Sequence, residues 1–140
     1  MLKFLLENVM QIEVSLKAGQ QLKASFGDFE IMSDQSISNG GRGEYPEPFD
    51  YFAASMPLCA AFYIRKFCQQ RDIDTTGIKL IQNNENCGDD KYKKRFAISV
   101  ELPSSFPDKY KKALIAAANT CTVKKVIQAM PEFEISLSSK

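Results

Sequence analysis

Four cysteines and no histidine bound the chemistry open to this 140-residue chain. Without imidazole there is no Ser–His or Cys–His nucleophile pair, and no zinc site that uses histidine. Reactivity is left to thiols, carboxylates, lysine, arginine and tyrosine. Cys59, Cys68, Cys87 and Cys121 never fall at the Cys-x2–4-Cys spacing of a zinc site, so the sequence predicts neither a metal nor a bound cofactor. A cysteine attacks only as its thiolate, and its neighbours decide how readily that forms.

The cysteines do not stand in equivalent places. Cys87 lies in NNENCGDD, where acidic side chains oppose ionisation. Cys59 and Cys68 share one apolar segment, FDYFAASMPLCAAFYIRKFC, and helical geometry puts them on opposite faces. Cys68 lies with Arg65 near Asp72, toward the polar end. Cys68 and Cys87 therefore read as incidental. Cys59 shares a stripe with Phe52, Ser55, Met56, Phe62, Tyr63 and Lys66; it is either a small core residue or a working thiol. Cys121 is open in the same way. If Asn119 or Thr120 caps a new helical turn, the N–H dipoles and the adjacent Lys124 and Lys125 favour a thiolate there. Otherwise Cys121 is a small residue at a helix junction.

The elements that must position these thiols follow from hydrophobic period. Met10, Ile12, Val14 and Leu16 alternate with polar residues, as do Leu22, Ala24 and Phe26, and Gly27-Asp28 turns the chain into Phe29–Met32. This predicts an antiparallel meander. Residues 33–48 are rich in Ser, Gly and Pro and read as a loop. Pro48 suits a helix start, and the pattern runs as helix to about Arg71. Pro57, inside it, removes a backbone hydrogen bond, frees the carbonyl of Ala53 and predicts a break or kink just before Cys59.

A second β region opens at Ile78, with Asn83–Asp90 as a polar connection and Phe96–Leu102 as its second strand. Ser105 reads as the cap of a helix whose face carries Tyr110, Leu114, Ala117 and Cys121, interrupted at Asn119 and Thr120. Pro131 stops the last helical turn, and Phe133, Ile135 and Leu137 alternate as a final strand. The order β-β-β-α-β-β-α-α-β predicts one α+β domain over residues 1–140 with antiparallel pairing.

Composition narrows the setting. Apolar residues make up 44% of the chain, enough for a core, and 18 basic against 17 acidic residues leave a formal charge of +1. The lysines near Lys91 and Lys109 are interleaved with Asp89, Asp90 and Asp108, so no nucleic-acid-binding face is predicted. MLKFLLENVM is too short and too soon broken by Glu7 for a signal peptide, and no apolar run reaches the roughly 20 residues of a membrane span. A cytoplasmic protein with reduced thiols is expected.

The Gly-rich loop, the Pro-x-acid entry to a cysteine-bearing helix, and the later Cys-x-Val at a helix junction resemble the OsmC/Ohr family, in its OsmC-like branch. These are the osmotically inducible protein C and organic hydroperoxide resistance proteins. The matching stretches are GGRGEYPEPFDYFAASMPLCAAF and AANTCTVKKVI. The resemblance implies an OsmC-like fold, with antiparallel sheets, a central cysteine-bearing helix and a second one, in an intertwined homodimer with sites at the subunit interface. It implies a thiol-dependent peroxidase acting on organic hydroperoxides or hydrogen peroxide. By position Cys59 would attack the peroxide, Cys121 would resolve it as a disulfide, and a dithiol would reduce the pair. Phe49, Phe52, Met56, Phe62 and Tyr63 would form the substrate pocket.

The supporting residues depart from the family's pattern. The hydroperoxide-resistance proteins carry an Arg in the first hairpin turn and a Glu ahead of the attacking cysteine. This chain has Lys17 and Phe49 there. Asp50 matches an acidic position of the wider OsmC-like group, and Arg42 in the Gly-rich loop is the remaining candidate arginine. Thr122 replaces a common Pro, and Lys124 stands where His is frequent. The alternative implied by these departures is a non-enzymatic OsmC-like dimer that binds a small apolar ligand in its interfacial pocket.

Overall fold

A computed structural model describes residues 10–138; the start of the chain, read above against a signal peptide, lies outside them except for Met10. Contacts group the chain into two units, residues 1–52 and Ala53–Lys140.

The first unit is the expected meander. Strands β1 (Glu13–Leu16), β2 (Leu22–Phe26) and β3 (Phe29–Ser33) pair antiparallel in that order, with Val14 opposite Ala24 and Ala24 opposite Ile31. Gly27, at φ 55, takes the first position of the two-residue β2–β3 turn, where a II′-type hairpin requires a positive φ. Phe26 and Phe29 face each other across it, with ring centroids 5.9 Å apart. The loop after β3 is organised by Asp34, whose side chain is only 1% exposed. Its carboxylate accepts from the backbone N–H groups of Gln35 (2.7 Å) and Glu44 (3.2 Å) and from Gln21 Nε2 (3.4 Å). Burial would raise its pKa, but these donors and the Arg42 N–H outweigh burial and lower it. Gly41 is obligatory here, because a Cβ would sit 2.0 Å from the carbonyl oxygen of Gln35.

Helix α1 runs from Pro48 to Gln69 with Pro57 inside it, so of the break or kink expected there the break does not occur. Its start is held by Asp50, whose Oδ2 accepts from the backbone N–H of Glu47 at 2.9 Å, the returning half of a capping box. The missing N–H of Pro57 would leave the Ala53 carbonyl unpaired. Gln82 Nε2 donates to that oxygen at 2.9 Å instead.

The second unit adds strands β4 (Lys79–Asn86) and β5 (Lys94–Glu101), then helices α2 (Lys111–Ala118) and α3 (Thr122–Gln128). The strands form an antiparallel pair with Leu80 opposite Val100 and Gln82 opposite Ile98. Asn83–Asn86, expected in a polar connection, belong to β4. Their polarity reflects exposure, and they pair through to Asn86 opposite Lys94, with Glu85 and Arg95 in an ion pair at 3.6 Å. Ile64, Phe67, Cys68, Phe106 and Leu114 make the core, with Ile78, Leu80 and Val100 packed against it. Arg71 closes the end of α1 by stacking its guanidinium 3.7 Å from the Phe67 ring and donating to the Phe67 carbonyl.

Two further expectations fail for identifiable reasons. Ser105 caps nothing: α2 is preceded by a 3-10 turn, Asp108–Tyr110, without a side-chain cap, and Asp108 pairs with Lys111 at 2.6 Å. The last strand is also absent. Residues 130–138 have no regular structure, and Phe133, Ile135 and Leu137 are almost wholly exposed. Alternation suits a strand, but a strand exists only against a neighbouring edge, and no other strand of the described chain pairs with these residues.

Candidate functional site

Two turns of helix and one helix junction bring Cys59 and Cys121 together within the second unit. Cys59 lies on α1, two residues beyond Pro57, and is half-buried. Cys121 is the N-cap residue of α3, not a residue inside a helix, and is only 3% exposed. Its sulfur takes the capping role that Ser or Asp usually fills, accepting the Lys124 N–H at 3.5 Å. The Cys121 Sγ also lies 3.9 Å from the carbonyl oxygen of Met56 on α1.

The remaining free N–H groups at the start of α3 turn to Cys59. Burial pushes the Cys59 thiol up, but the Val123 N–H, the Cys121 thiol and the Thr122 N–H all hydrogen-bond to it, and the net effect holds it below the ordinary thiol value. For Cys121 the balance is opposite. Burial raises it, and its thiol loses a proton already engaged with Cys59 beside a developing negative charge. The N–H groups of Lys124 and Val123 offset only part of this. Cys59 is therefore the thiol held low and Cys121 the one held high. The sequence leaves open whether a helix start favours a thiolate at Cys121; in the folded chain N–H groups of that start act on both thiols, and only Cys59 is lowered on balance.

Tyr63 ties the same two elements together. Its hydroxyl shares a hydrogen bond with Thr122 Oγ1 at 2.6 Å, one turn along α1 from Cys59. That bond is invisible in the sequence, since its partners are 59 residues apart. Tyr63 also meets Phe62 edge-on, with centroids 5.4 Å apart.

The other predicted residues fall in different places. Phe49 and Phe52 pack on each other at 5.8 Å in the first unit. Lys17, Arg42 and Asp50 also belong to that unit, where Lys17 and Arg42 are exposed and Asp50 caps α1. Of the predicted pocket residues, Met56 alone lines a cavity, of about 350 Å3, which Cys121 and Lys124 also line. Cys68, expected toward the polar end of the helix, does lie near that end but is fully buried in the core, where burial raises its pKa against the attraction of Arg71. Among the described residues no group of three or more Cys, Asp or Glu side chains could hold a metal ion. No helix there is long and apolar enough to cross a membrane.

Comparison with known proteins agrees with this architecture. The family model of OsmC-like proteins matches residues 41–136, which include both cysteines and the strands between them. No curated protein sequence matches the chain. Among solved structures, a Psychrobacter arcticus protein assigned to osmotic stress induction and the detoxification response is similar, with a TM-score of 0.68 at 24% identity, over 84% of this chain and 88% of that one. An OsmC-like protein of Mycoplasma pneumoniae gives 0.69 at 12% identity, over 89% and 90% of the two chains. The organic hydroperoxide resistance protein OsmC of Legionella pneumophila gives 0.57 at 16% identity, over 84% and 89%. At these identities the likeness is one of fold.

Proposed function

Because this chain belongs to the OsmC-like family, we propose that it is a thiol-dependent peroxidase that reduces organic hydroperoxides or hydrogen peroxide through Cys59 and Cys121. The observation that carries this reading is the packing of the Cys59 turn of α1 on the start of α3, where the Cys121 sulfur lies 3.9 Å from the Met56 carbonyl and Tyr63 bonds to Thr122; the groups there hold the Cys59 thiol below its ordinary value. The solved structure from Legionella pneumophila, an organic hydroperoxide resistance protein, supports the same class of substrate.

The steps balance as follows. The Cys59 thiolate attacks one peroxide oxygen; the S–O bond forms as the O–O bond breaks, and the departing alkoxide takes a proton to become an alcohol. Cys59 is then a sulfenic acid. Cys121 attacks its sulfur, forming the disulfide and releasing water as the thiol proton joins the leaving hydroxide. An external dithiol reduces that disulfide by exchange and is itself oxidised. The N–H groups of Thr122 and Val123 serve where the hydroperoxide-resistance pattern uses arginine: they are neutral donors, fixed by the backbone, and cost no side-chain ordering. In this reading the protein is a cytoplasmic homodimer of single OsmC-like domains.

Titration of the reduced protein with cumene hydroperoxide tests the proposal. One equivalent should convert two thiols into a Cys59–Cys121 disulfide, seen as a loss of two hydrogens by mass spectrometry. Persistence of both thiols at peroxide levels that oxidise glutathione removes it. A second reading, ligand binding without turnover, draws on the apolar cavity beside Cys121.

A further inference from the structure

The cavity has Cys121 and not Cys59 in its wall. Its apolar lining has a simple origin. Phe96, Ile98 and Val100 alternate along β5 and so present one face of the strand. Met56 and Ala60 from α1, and Ile115 from α2, close the other sides. At about 350 Å3 it falls within the range of small-ligand sites, roughly 300–1,000 Å3. Ile98, Ile115 and Ile127 in its wall remain more than a third exposed, so apolar surface is still in contact with water. Covering it is favourable.

The polar groups of the wall are few and of one sign. Besides the Cys121 thiol they are Asn119 and Lys124, and no carboxylate lines the cavity. The Lys124 ammonium donates to the neutral Asn119 Oδ1 at 2.9 Å. It takes part in none of the three ion pairs among the described residues. Its charge is therefore held beside an apolar hollow without a counter-ion. A neutral oil would leave that charge to water, whereas an anion on an aliphatic chain would satisfy both features.

We propose that this cavity binds a single-chain aliphatic carboxylate, with its chain among Phe96, Ile98, Ile115 and Ile127 and its head group against Lys124. The site names the ligand class for the binding reading and rests on it only for an open cavity; it needs no thiol turnover. A phosphate head would meet the same cation, so the test separates the two.

Calorimetric titration of reduced Cys59→Ser protein, which leaves peroxide chemistry out, should show decanoate binding about tenfold more tightly than decanol. Lys124→Met should bring decanoate down to the level of decanol and leave decanol unchanged. Ile115→Trp, which fills the cavity, should remove both. Equal affinity for decanoate and decanol overturns the proposal, as does binding of decyl phosphate without decanoate. A change of sedimenting mass in Ile115→Trp, in place of lost binding, also overturns it by assigning the surface to a second copy of the chain. Peroxide consumption by the unaltered protein is scored separately, so failure of either reading leaves the other standing.

Discussion

Cys59 and Cys68 sit on the same helix, and neither is freely exposed, yet their thiols are pushed in opposite directions. Cys68 faces Ile64, Phe67, Phe106 and Leu114, a setting with no donor for a thiolate, and burial raises its pKa. Cys59 is also partly desolvated, but it faces the start of another helix and receives the N–H groups of Thr122 and Val123. Burial without donors raises a thiol's pKa; partial enclosure with backbone donors beside the sulfur lowers it. What separates the two is the element packed opposite each one.

The largest effect that would break this contrast comes from exchanging the sulfurs. Cys59→Ser should lower peroxide consumption by about a thousandfold or more. Cys68→Ser should leave consumption intact but cost about 1–3 kcal/mol of stability in urea denaturation, because it buries a hydroxyl in an apolar site. Loss of activity in a folded Cys68→Ser protein, with retention in Cys59→Ser, would invert the assignment.

Removing one donor sharpens the contrast. Thr122→Pro keeps a residue suited to the first helical position but deletes the N–H that reaches Cys59 and the hydroxyl that meets Tyr63. Alkylation of Cys59 by iodoacetamide near neutral pH should slow about three- to tenfold. In the unaltered protein the alkylation midpoint should lie below that of the same cysteine in the unfolded chain. The sign follows from the depressed pKa: the thiolate's stabilising contribution is present above the unfolded thiol value and is lost as pH falls through the folded one. A midpoint at or above the unfolded value, or no change in Thr122→Pro, would detach the helix start from the reactivity of Cys59.

The smallest effect concerns the two halves of α1. Gln82→Met removes the donor to the Ala53 carbonyl and should cost about 1 kcal/mol. Adding Pro57→Ala should recover much of that loss, because position 57 then supplies its own N–H. Absence of recovery would mean that Gln82 acts through packing.

The lack of histidine and the two family stretches singled out the cysteines as candidates, and alternation marked the meander. The junction at Asn119 and Thr120 was also legible, because the helical face breaks there. What stayed hidden depends on partners far along the chain. Cys68 looked polar by its neighbours Arg65 and Asp72, but residues from α2 and the loop before it bury it. Asn83–Asn86 looked like a loop because no apolar period marks a strand whose side chains face water. Phe133–Leu137 carried the right alternation with no edge to pair with. The donors to Cys59 are backbone groups, and side-chain identity says nothing of where a backbone N–H points.

The proline inside α1 has a consequence for when the site comes into being. Because Pro57 withholds its N–H, the helix cannot complete itself locally, and the missing bond to the Ala53 carbonyl comes from Gln82, 29 residues beyond Ala53. The donors to the sulfur come later still, from residues 121–123. A chain still being synthesised, with α1 already emerged, carries Cys59 as an ordinary thiol, and only the finished fold turns it into a readily ionised one. The reactive group is in this way timed by the length of chain that must assemble around it.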